Sequence, residues 1–448
     1  MLPLVKLAWR NVRKNWQHSL SAILSIASGF IAVGVFHGYI MHVEGQFSEG
    51  YGRRFMLGDL MVFAESKKGE GSQDGIDFSF FDAAEKKFLT KNDQKIIEDF
   101  MAIHKGEIEQ SVRFLDIAGM ITNGKSNTIF AGYGIDEPQA SRMRSASWEW
   151  NTLSGVPLFL SKDPAPAVVG KGMAALLDCK AVGVDLDTIP LVPYMKPTGT
   201  LECLRQQVQM TTMTASGQVN AIDVNIVGVM DGGIPALDRA WVTLPLPLAQ
   251  MLTSTDELSM FTIKLNDGVS ITKFAEELMT FARQKGSKIE AQSWKDHRYG
   301  VVYVKAMKIL GIFRSFVLII VIAIGCMTVI NTLIKSVSER TREIGTLRSL
   351  GFLQREIMFM FAFEGFFLAV IANIVGFVST ISIMLLVNFF KITYDPGFIS
   401  SRVPLNIDPV PLTYLMSAVG LCVIASFAAL YPASKAAKTN IPEALSHV

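Results

Sequence analysis

One stretch of this chain has the spacing of a nucleotide site. G-M-I-T-N-G-K-S at residues 119–126 fits G-x-x-x-x-G-K-[ST], in which backbone amides and a lysine cradle phosphates. That chemistry needs a strand before the loop and a helix after it, so that the helix N-terminus faces the anion. A strand pattern precedes, but N-T-I-F-A-G at 127–132 reads as a second strand. Asn123-Gly124 is also among the strongest hairpin-turn pairs. The expectation is a β-hairpin and no ATP site.

Other catalytic groupings are equally thin. The six histidines (His18, His37, His42, His104, His297, His447) show no H-E-x-x-H spacing, and G-x-S-x-G is absent. Glu276-Glu277 reads as the solvated face of a helix. The four cysteines (Cys179, Cys203, Cys326, Cys422) have no C-x-x-C spacing, so no metal site is expected. Cys326 and Cys422 fall in apolar runs; Cys179 and Cys203 share a polar region, where a disulfide and two free thiols both remain open. The reading is a chain without catalytic residues, metal or cofactor of its own. A net charge of +2 gives no case for nucleic acid.

The most organised polar stretch is K-S-V-S-E-R-T-R-E-I-G-T-L-R-S-L-G at 335–351, wedged between long apolar runs. Ser336 with Glu339 makes a capping box, Ile344, Leu347 and Leu350 make a narrow apolar stripe, and Gly351 suits a C-cap. Such a helix fits insertion into a partner's groove or a flat position on lipid headgroups.

Four apolar blocks, at about 20–40, 309–334, 357–390 and 412–431, exceed or reach the ~20 residues that span a bilayer. The first follows Arg10, Arg13 and Lys14 but is long for a signal core and lacks a small-residue cleavage site, so it reads as a retained anchor. Lys6, Arg10, Arg13 and Lys14, then Lys335, Arg340, Arg342, Arg348 and Arg355, then Lys435 and Lys438 fall on one side if the N-terminus is cytoplasmic. The 391–411 connection has only Lys391 and Arg402. Glu364 lies within the third block; a membrane carboxylate is a functional candidate, although 352–363 reads as an oblique surface helix that leaves it at the interface.

The fold class expected is therefore an α-helical membrane protein with four transmembrane helices in a 1+3 arrangement, plus a large α+β extracytoplasmic domain between the first and second. The boundaries are a cytoplasmic amphipathic helix at 1–18, first span and stalk at 19–57, the α+β domain at 58–300 and second span at 301–334. A cytoplasmic helix follows at 335–356, then the third span at 357–390, a short loop at 391–411, the fourth span at 412–431 and a tail at 432–448. Val43, Phe47, Tyr51 and Phe55 recur every four residues, predicting one stiff helical stalk. Within the domain, strands are predicted at 58–63, 112–121, 128–132, 167–169, 224–229, 241–244 and 260–265. Helices are predicted at 172–177, at 272–283, and after an Asn92 cap with Ile96, Ile97, Phe100 and Met101 inward. Residues 67–75 read as a polar loop, and 196–218 as a loop or flexible hairpin.

S-E-R-T-R-E-I-G-T-L-R-S-L-G-F at 338–352 resembles the R-x-R-E-I-G-x-L-R-A-L-G motif of permeases of the MacB/FtsX/LolCE class (type VII ABC transporters). L-A-W-R-N-V-R-K-N at 7–15 and Y-P-A-S-K-A-A-K-T-N-I-P-E-A-L at 431–445 are similar to the start and tail of that class. V-V-G-K-G-M-A-A-L-L at 168–177 and V-G-V-M-D-G-G-I-P-A-L-D at 227–238 resemble its LolE-like branch, whereas D-C-K-A-V-G-V-D-L-D after Leu177 departs from it. So does the absence of an M-N-G-F pattern after the first span.

The resemblance implies an inner-membrane permease dimer, of like or homologous copies, and a cytoplasmic ABC ATPase dimer holding the ATP and Mg. It implies ATPase coupling through Glu339, Arg340, Arg342, Glu343, Ile344, Gly345, Leu347, Arg348, Leu350 and Gly351, and motion carried by the stalk to the domain outside. The expected task is extraction or transport of lipoprotein or lipid-like cargo, with membrane lipids and a periplasmic carrier or accessory protein as partners. The alternatives are an FtsX-like transmitter that activates a cell-wall hydrolase and a MacB-like exporter of small molecules or peptides.

Overall fold

The computed structural model describes residues 2–14, 16–65, 88–148, 152–186, 196, 199–214, 216–233, 235–395 and 402–437. The loop expected at 67–75 and most of the tail motif at 431–445 lie outside them. The chain divides into two compact units, one formed by Met1–Glu44, Met307–Ile392 and Leu405–Val448, the other by Gly45–Ala306 and Thr393–Pro404.

The first unit is helical. It draws on α1 (Leu2–Lys14) and α2 (Trp16–Glu49), and on α9 (Val301–Glu339), α10 (Thr341–Ser349), α11 (Gln354–Phe390) and α12 (Pro411–Ala437). Among the described residues four helices are long and apolar enough to cross a membrane: Ser19–Arg54, Tyr303–Glu339, Gln354–Phe390 and Pro411–Lys435. Their contacts rest on small residues, because lipid tails offer no hydrophobic drive for helices to associate. A Cβ at Gly365 on α11 would meet the Ala425 carbonyl of α12 at 2.8 Å, and one at Gly376 would meet Phe30 Cβ of α2 at 2.9 Å. α11 is one continuous helix from Gln354, not an oblique surface helix followed by a span. Glu364 consequently sits within it and is 3% exposed.

The second unit is the inserted α+β domain. Its strands are β1 (Leu60–Ala64), β2 (Ile108–Thr122), β3 (Asn127–Ile135), β4 (Ser154–Gly155), β5 (Pro166–Gly170), β6 (Cys179–Val182) and β7 (Thr200–Cys203). They continue with β8 (Gln207–Met213), β9 (Val219–Met230), β10 (Trp241–Pro245), β11 (Met260–Leu265), β12 (Ile289–Ser293), β13 (Thr393–Tyr394) and β14 (Val403–Pro404). Among the described residues ten strands form one mixed sheet, in the order β12-β1-β11-β2-β3-β10-β5-β9-β4, with β8 joining β2 and β9. β10 runs parallel to β3 and β5 parallel to β9; the other pairings are antiparallel.

The helices are α3 (Lys91–Ile103), α4 (Glu137–Trp148), α5 (Lys171–Leu176), α6 (Pro235–Asp238), α7 (Leu246–Thr253) and α8 (Ile271–Gln284). α3 and α8 bury Ile96, Ile97, Phe100, Phe274 and Leu278 against the sheet residues Leu60, Val62, Ile117 and Phe261. Each large apolar side chain so removed from water is worth roughly 1.5–3 kcal/mol.

Every strand predicted from period-two alternation lies within or against an observed one, and 260–265 coincides with β11. One expectation is corrected and two open readings are decided. Thr90, not Asn92, caps α3, its hydroxyl accepting from Asp93 N in a capping box. Residues 196–218 contain β7, which pairs with β6, and β8, which forms a hairpin with β9 from Gln207↔Asn225 to Met213↔Val219. Cys179 and Cys203 face each other in the β6–β7 register and are disulfide-bonded.

The P-loop-like segment is the β2–β3 hairpin, paired from Phe114↔Ile135 to Thr122↔Asn127. Gly124 takes φ 80°, and the Asn123 side-chain oxygen accepts from Lys125 N and Ser126 N, which closes the turn. Those amides are spent inside the turn, and β3 rather than a helix follows.

The stalk stripe is also revised. The α-helix ends at Glu49, and Gly50–Arg54 is a π-helical turn closed by bonds such as Phe55 N to the Gly50 carbonyl, 2.9 Å. Because a π turn advances the chain differently, Val43, Phe47, Tyr51 and Phe55 do not share one α-helical stripe. Within the inserted domain, Tyr51 stacks on Trp294 at 4.9 Å, Tyr303 lies 5.8 Å from Tyr51, and Phe47 lies 6.1 Å from Tyr303. Phe55 packs edge-on to Trp241 at 6.4 Å.

Candidate functional site

The residues expected to couple the chain to a partner gather around α10. α9 runs through Glu339, so Ser336 lies inside it and does not open a capping box. The break falls at Arg340 (φ −118°, ψ 18°), after which Ile344 N bonds the Arg340 carbonyl at 3.0 Å and α10 begins. At the far end Gly351 takes φ 98°, with Gly351 N on the Arg348 carbonyl at 3.1 Å and Phe352 N on the Leu347 carbonyl at 3.2 Å. That is a Schellman cap, which only a residue free to adopt positive φ closes without strain.

The expected apolar stripe divides. Ile344 is 5% exposed and packs with Ala8 of α1, Val329 and Leu333 of α9, Ile357 and Phe361 of α11 and Ala433 of α12. Gly345 is buried beside it and Leu347 is partly buried against the same core. Leu350 is 73% exposed. The apolar face of α10 is thus consumed in holding the helix to its own unit. What faces outward is Arg342, Glu343, Thr346, Ser349 and Leu350, with Gly351 and Leu353 beyond. Ile344 and Leu347 therefore support the helix instead of forming its contact surface. Glu339 is exposed and Arg348 half-buried.

A polar latch, hidden from sequence reading, lies beneath α10. Arg340 Nη1 donates to Glu364 Oε1 at 2.9 Å, and its Nε donates to Glu343 Oε2 at 3.2 Å. Asn11 of α1 donates through Nδ2 to the same Glu364 oxygen at 2.6 Å. The carboxylates hold the Arg340 guanidinium more firmly protonated than burial alone would allow, although burial is the largest single influence and acts the other way. α1, the α9–α10 break and α11 thereby meet at one carboxylate. Lys14 Nζ stands 4.0 Å from Glu343 Oε1, with both side chains largely exposed, and contributes little. Trp9 of α1 packs edge-on to Phe367 at 5.3 Å.

In the inserted domain a second ion pair fixes the π turn. Arg54, 4% exposed, donates to the Asp231 carbonyl at 2.7 Å and lies 3.6 Å from its carboxylate. Asp238 accepts from the backbone amides of Lys171, Gly172 and Gly232 at 3.1, 2.9 and 2.8 Å. The segment V-G-V-M-D-G-G-I-P-A-L-D thus works as a backbone brace joining β9, α5 and the π turn. Among the described residues, no group of His, Cys, Asp and Glu could hold a metal ion.

Known proteins match parts of this chain. Residues 315–441, which contain most of α9 and all of α10, α11 and α12, match the model of the FtsX-like permease C-terminal domain. The chain is 25% identical over 268 residues to the lipoprotein-releasing system transmembrane protein LolC of Neisseria meningitidis, covering 56% of this chain and 63% of that protein. It is 23% identical over 344 residues to the corresponding LolE of Haemophilus influenzae, covering 74% and 76%. It is 28% identical over 232 residues to the macrolide export ATP-binding/permease protein MacB of Campylobacter jejuni, covering 51% and 34%. The chain thus spans less than two thirds of LolC and about a third of MacB, the latter in its permease part. Among solved structures, the periplasmic region of MacB from Actinobacillus actinomycetemcomitans covers 55% of this chain at 14% identity, with 91% of that region matched and a TM-score of 0.31.

Proposed function

We propose that this chain, a permease of the MacB/FtsX/LolCE class of ABC transporters, takes ATP-driven motion from a separate cytoplasmic ATPase through α10 and passes it to its inserted domain. The cargo is a lipoprotein or similar lipid-like molecule drawn from the inner membrane. The observation that carries this reading is the division of α10. Its apolar face and Arg340 are anchored in the helical unit, while Arg342, Thr346, Ser349 and Leu350 are presented outward.

A helix held this way behaves as a rigid lever, because displacing its outer face drags the Glu364 latch and the Ile344 contacts with it. In this reading ATP and Mg are held by the ATPase; that the phosphate-loop pattern at 119–126 is a hairpin turn supports it. The lipid-like cargo is favoured by the long LolE match, which runs through 74% of this chain, against 51% for MacB. A second permease copy or homologue completes the complex.

The test is co-purification with the partner ATPase. Leu350→Asp combined with Arg342→Glu should abolish capture of the ATPase while the permease still inserts and elutes as a single species. Unaltered capture would refute the docking role of α10.

A further inference from the structure

α1 presents a face of concentrated positive charge. Lys6, Arg10 and Arg13 recur at i, i+4 and i+7, with Lys14 on the flank. All four side chains are exposed, and α1 contains no acidic residue. The opposite face is spent inside the helical unit. There Ala8 packs with Ile344 and Phe361, Val12 packs with Leu368, and Asn11 donates to Glu364.

Among the described residues, Lys6, Arg10 and Arg13 meet no carboxylate, and Lys14 has Glu343 at 4.0 Å. Lys6–Arg10 and Arg10–Lys14 are like-charge i, i+4 pairs, which oppose helix formation unless an anion meets them. The helix dipole favours Arg13 and Lys14 in the last turn, but it gives no support to Lys6 in the first half.

The neighbours set the level of this face. Exposed apolar side chains run along α2 from Leu20 and Leu24, and along α11 from Phe366 through Ile374 and Val378. Trp9 packs edge-on to Phe367 at 5.3 Å and stays 48% exposed, as an amphipathic ring does where hydrocarbon gives way to headgroups. The cations of α1 therefore stand at headgroup level. A protein partner is favoured by a contact with an apolar centre, whereas this face carries four cations with Trp9 at its rim.

We propose that the outward face of α1 binds the phosphate groups of acidic phospholipids, in the leaflet on the α10 side, through Lys6, Arg10, Arg13 and Lys14. Binding holds α1 against α11, and Asn11 carries that hold to the Glu364 oxygen on which Arg340 is anchored. An acidic leaflet thereby steadies the start of α10. The proposal rests on the membrane spans and not on the ATPase or the cargo.

The experiment titrates the full chain, purified in a neutral detergent, with dioleoylphosphatidylglycerol and separately with dioleoylphosphatidylcholine. Bound lipid is counted by native mass spectrometry. The wild type should bind the acidic lipid in preference. Lys6→Gln with Arg10→Gln and Arg13→Gln should weaken that binding at least about tenfold and leave phosphatidylcholine unchanged. Lys335→Gln with Arg355→Gln, which removes charge outside α1, should leave both unchanged. If the triple variant does not elute as a single species, Arg10→Gln with Arg13→Gln replaces it, with an expected loss of at least about fivefold. Equal binding of both lipids by the wild type, or undiminished binding by a well-folded variant, would overturn the proposal. So would an equal loss in the control outside α1. Lost ATPase capture with lipid binding intact would make the face a protein dock, and would overturn it too.

Discussion

Arg340 and Glu364, 24 residues apart in sequence, share a charge-assisted hydrogen bond of 2.9 Å in which neither side chain is more than 12% exposed. The bond fastens the N-terminus of α10 to the middle of α11's buried face, and Asn11 brings α1 to the same oxygen. Several outcomes can be read from this arrangement.

Removing Glu364 leaves the Arg340 guanidinium with only the exposed Glu343 carboxylate as counter-charge. Glu364→Gln should cost about 3–5 kcal/mol and lower the melting temperature measured in detergent. Asn11→Ala removes one bond to a charged group and should cost less, about 1.5–3 kcal/mol. Combining Arg340→Met with Glu364→Leu should recover stability relative to Glu364→Gln, yet leave ATPase stimulation low, because α10 is no longer tied at that point. Equal loss of stability in the double and single variants would speak against a paired latch.

Ile344 and Leu350 should separate support from contact. Ile344→Ala opens a cavity where α1, α9, α11 and α12 converge and should destabilise the chain by about 2–5 kcal/mol. Leu350→Ala, at an exposed site, should change stability by no more than about 0.5 kcal/mol while weakening ATPase capture. Thermal unfolding and co-purification of the two variants read these effects independently.

Arg54→Met removes a guanidinium from beside the fully buried Asp231 carboxylate. Hydrogen exchange of the full chain should then show faster opening of the π turn and of the 227–238 segment. Exchange in α11 should stay as in the wild type, since α11 belongs to the other compact unit. Uniform acceleration along the chain would contradict a local brace.

Burial pushes the Asp238 carboxyl above its ordinary value of 3.8, against the opposing influence of the Gly232 and Gly172 amides. The folded state thus binds this proton more readily than the unfolded chain does. Stability drawn from that proton is present below pH ~3.8 and is lost as pH rises through the higher folded value. A pH series of melting temperatures should show this downward component in the wild type and lack it in Asp238→Asn.

Reduction of the Cys179–Cys203 bridge reopens a loop closed across 24 residues, a constraint worth about 3 kcal/mol in the chain-entropy account. Exchange protection of β6 and β7 should fall on reduction while β10 and β11 keep theirs. Protection unchanged in the hairpin would show that other contacts hold it.

Some of this protein was decided by sequence alone. The four spans follow from transfer free energy summed over about 20 neighbouring residues, a quantity that no distant contact reverses. The hairpin in place of a nucleotide loop follows from Asn123-Gly124 and the β pattern after it, again local information. The Gly351 cap and most strands were legible for the same reason. What only the tertiary structure decided depends on pairs far apart in the chain. Nothing near Glu364 announces Asn11, 353 residues away, or shows that Arg340 turns inward while Arg342 faces out. Ser336 carries a capping signature, yet α9 runs through it because helix packing outweighs a local cap worth about 1 kcal/mol. The stripe of Ile344, Leu347 and Leu350 was visible as a period, but a period does not say which end is covered. That is fixed by where α1, α11 and α12 leave room for side chains.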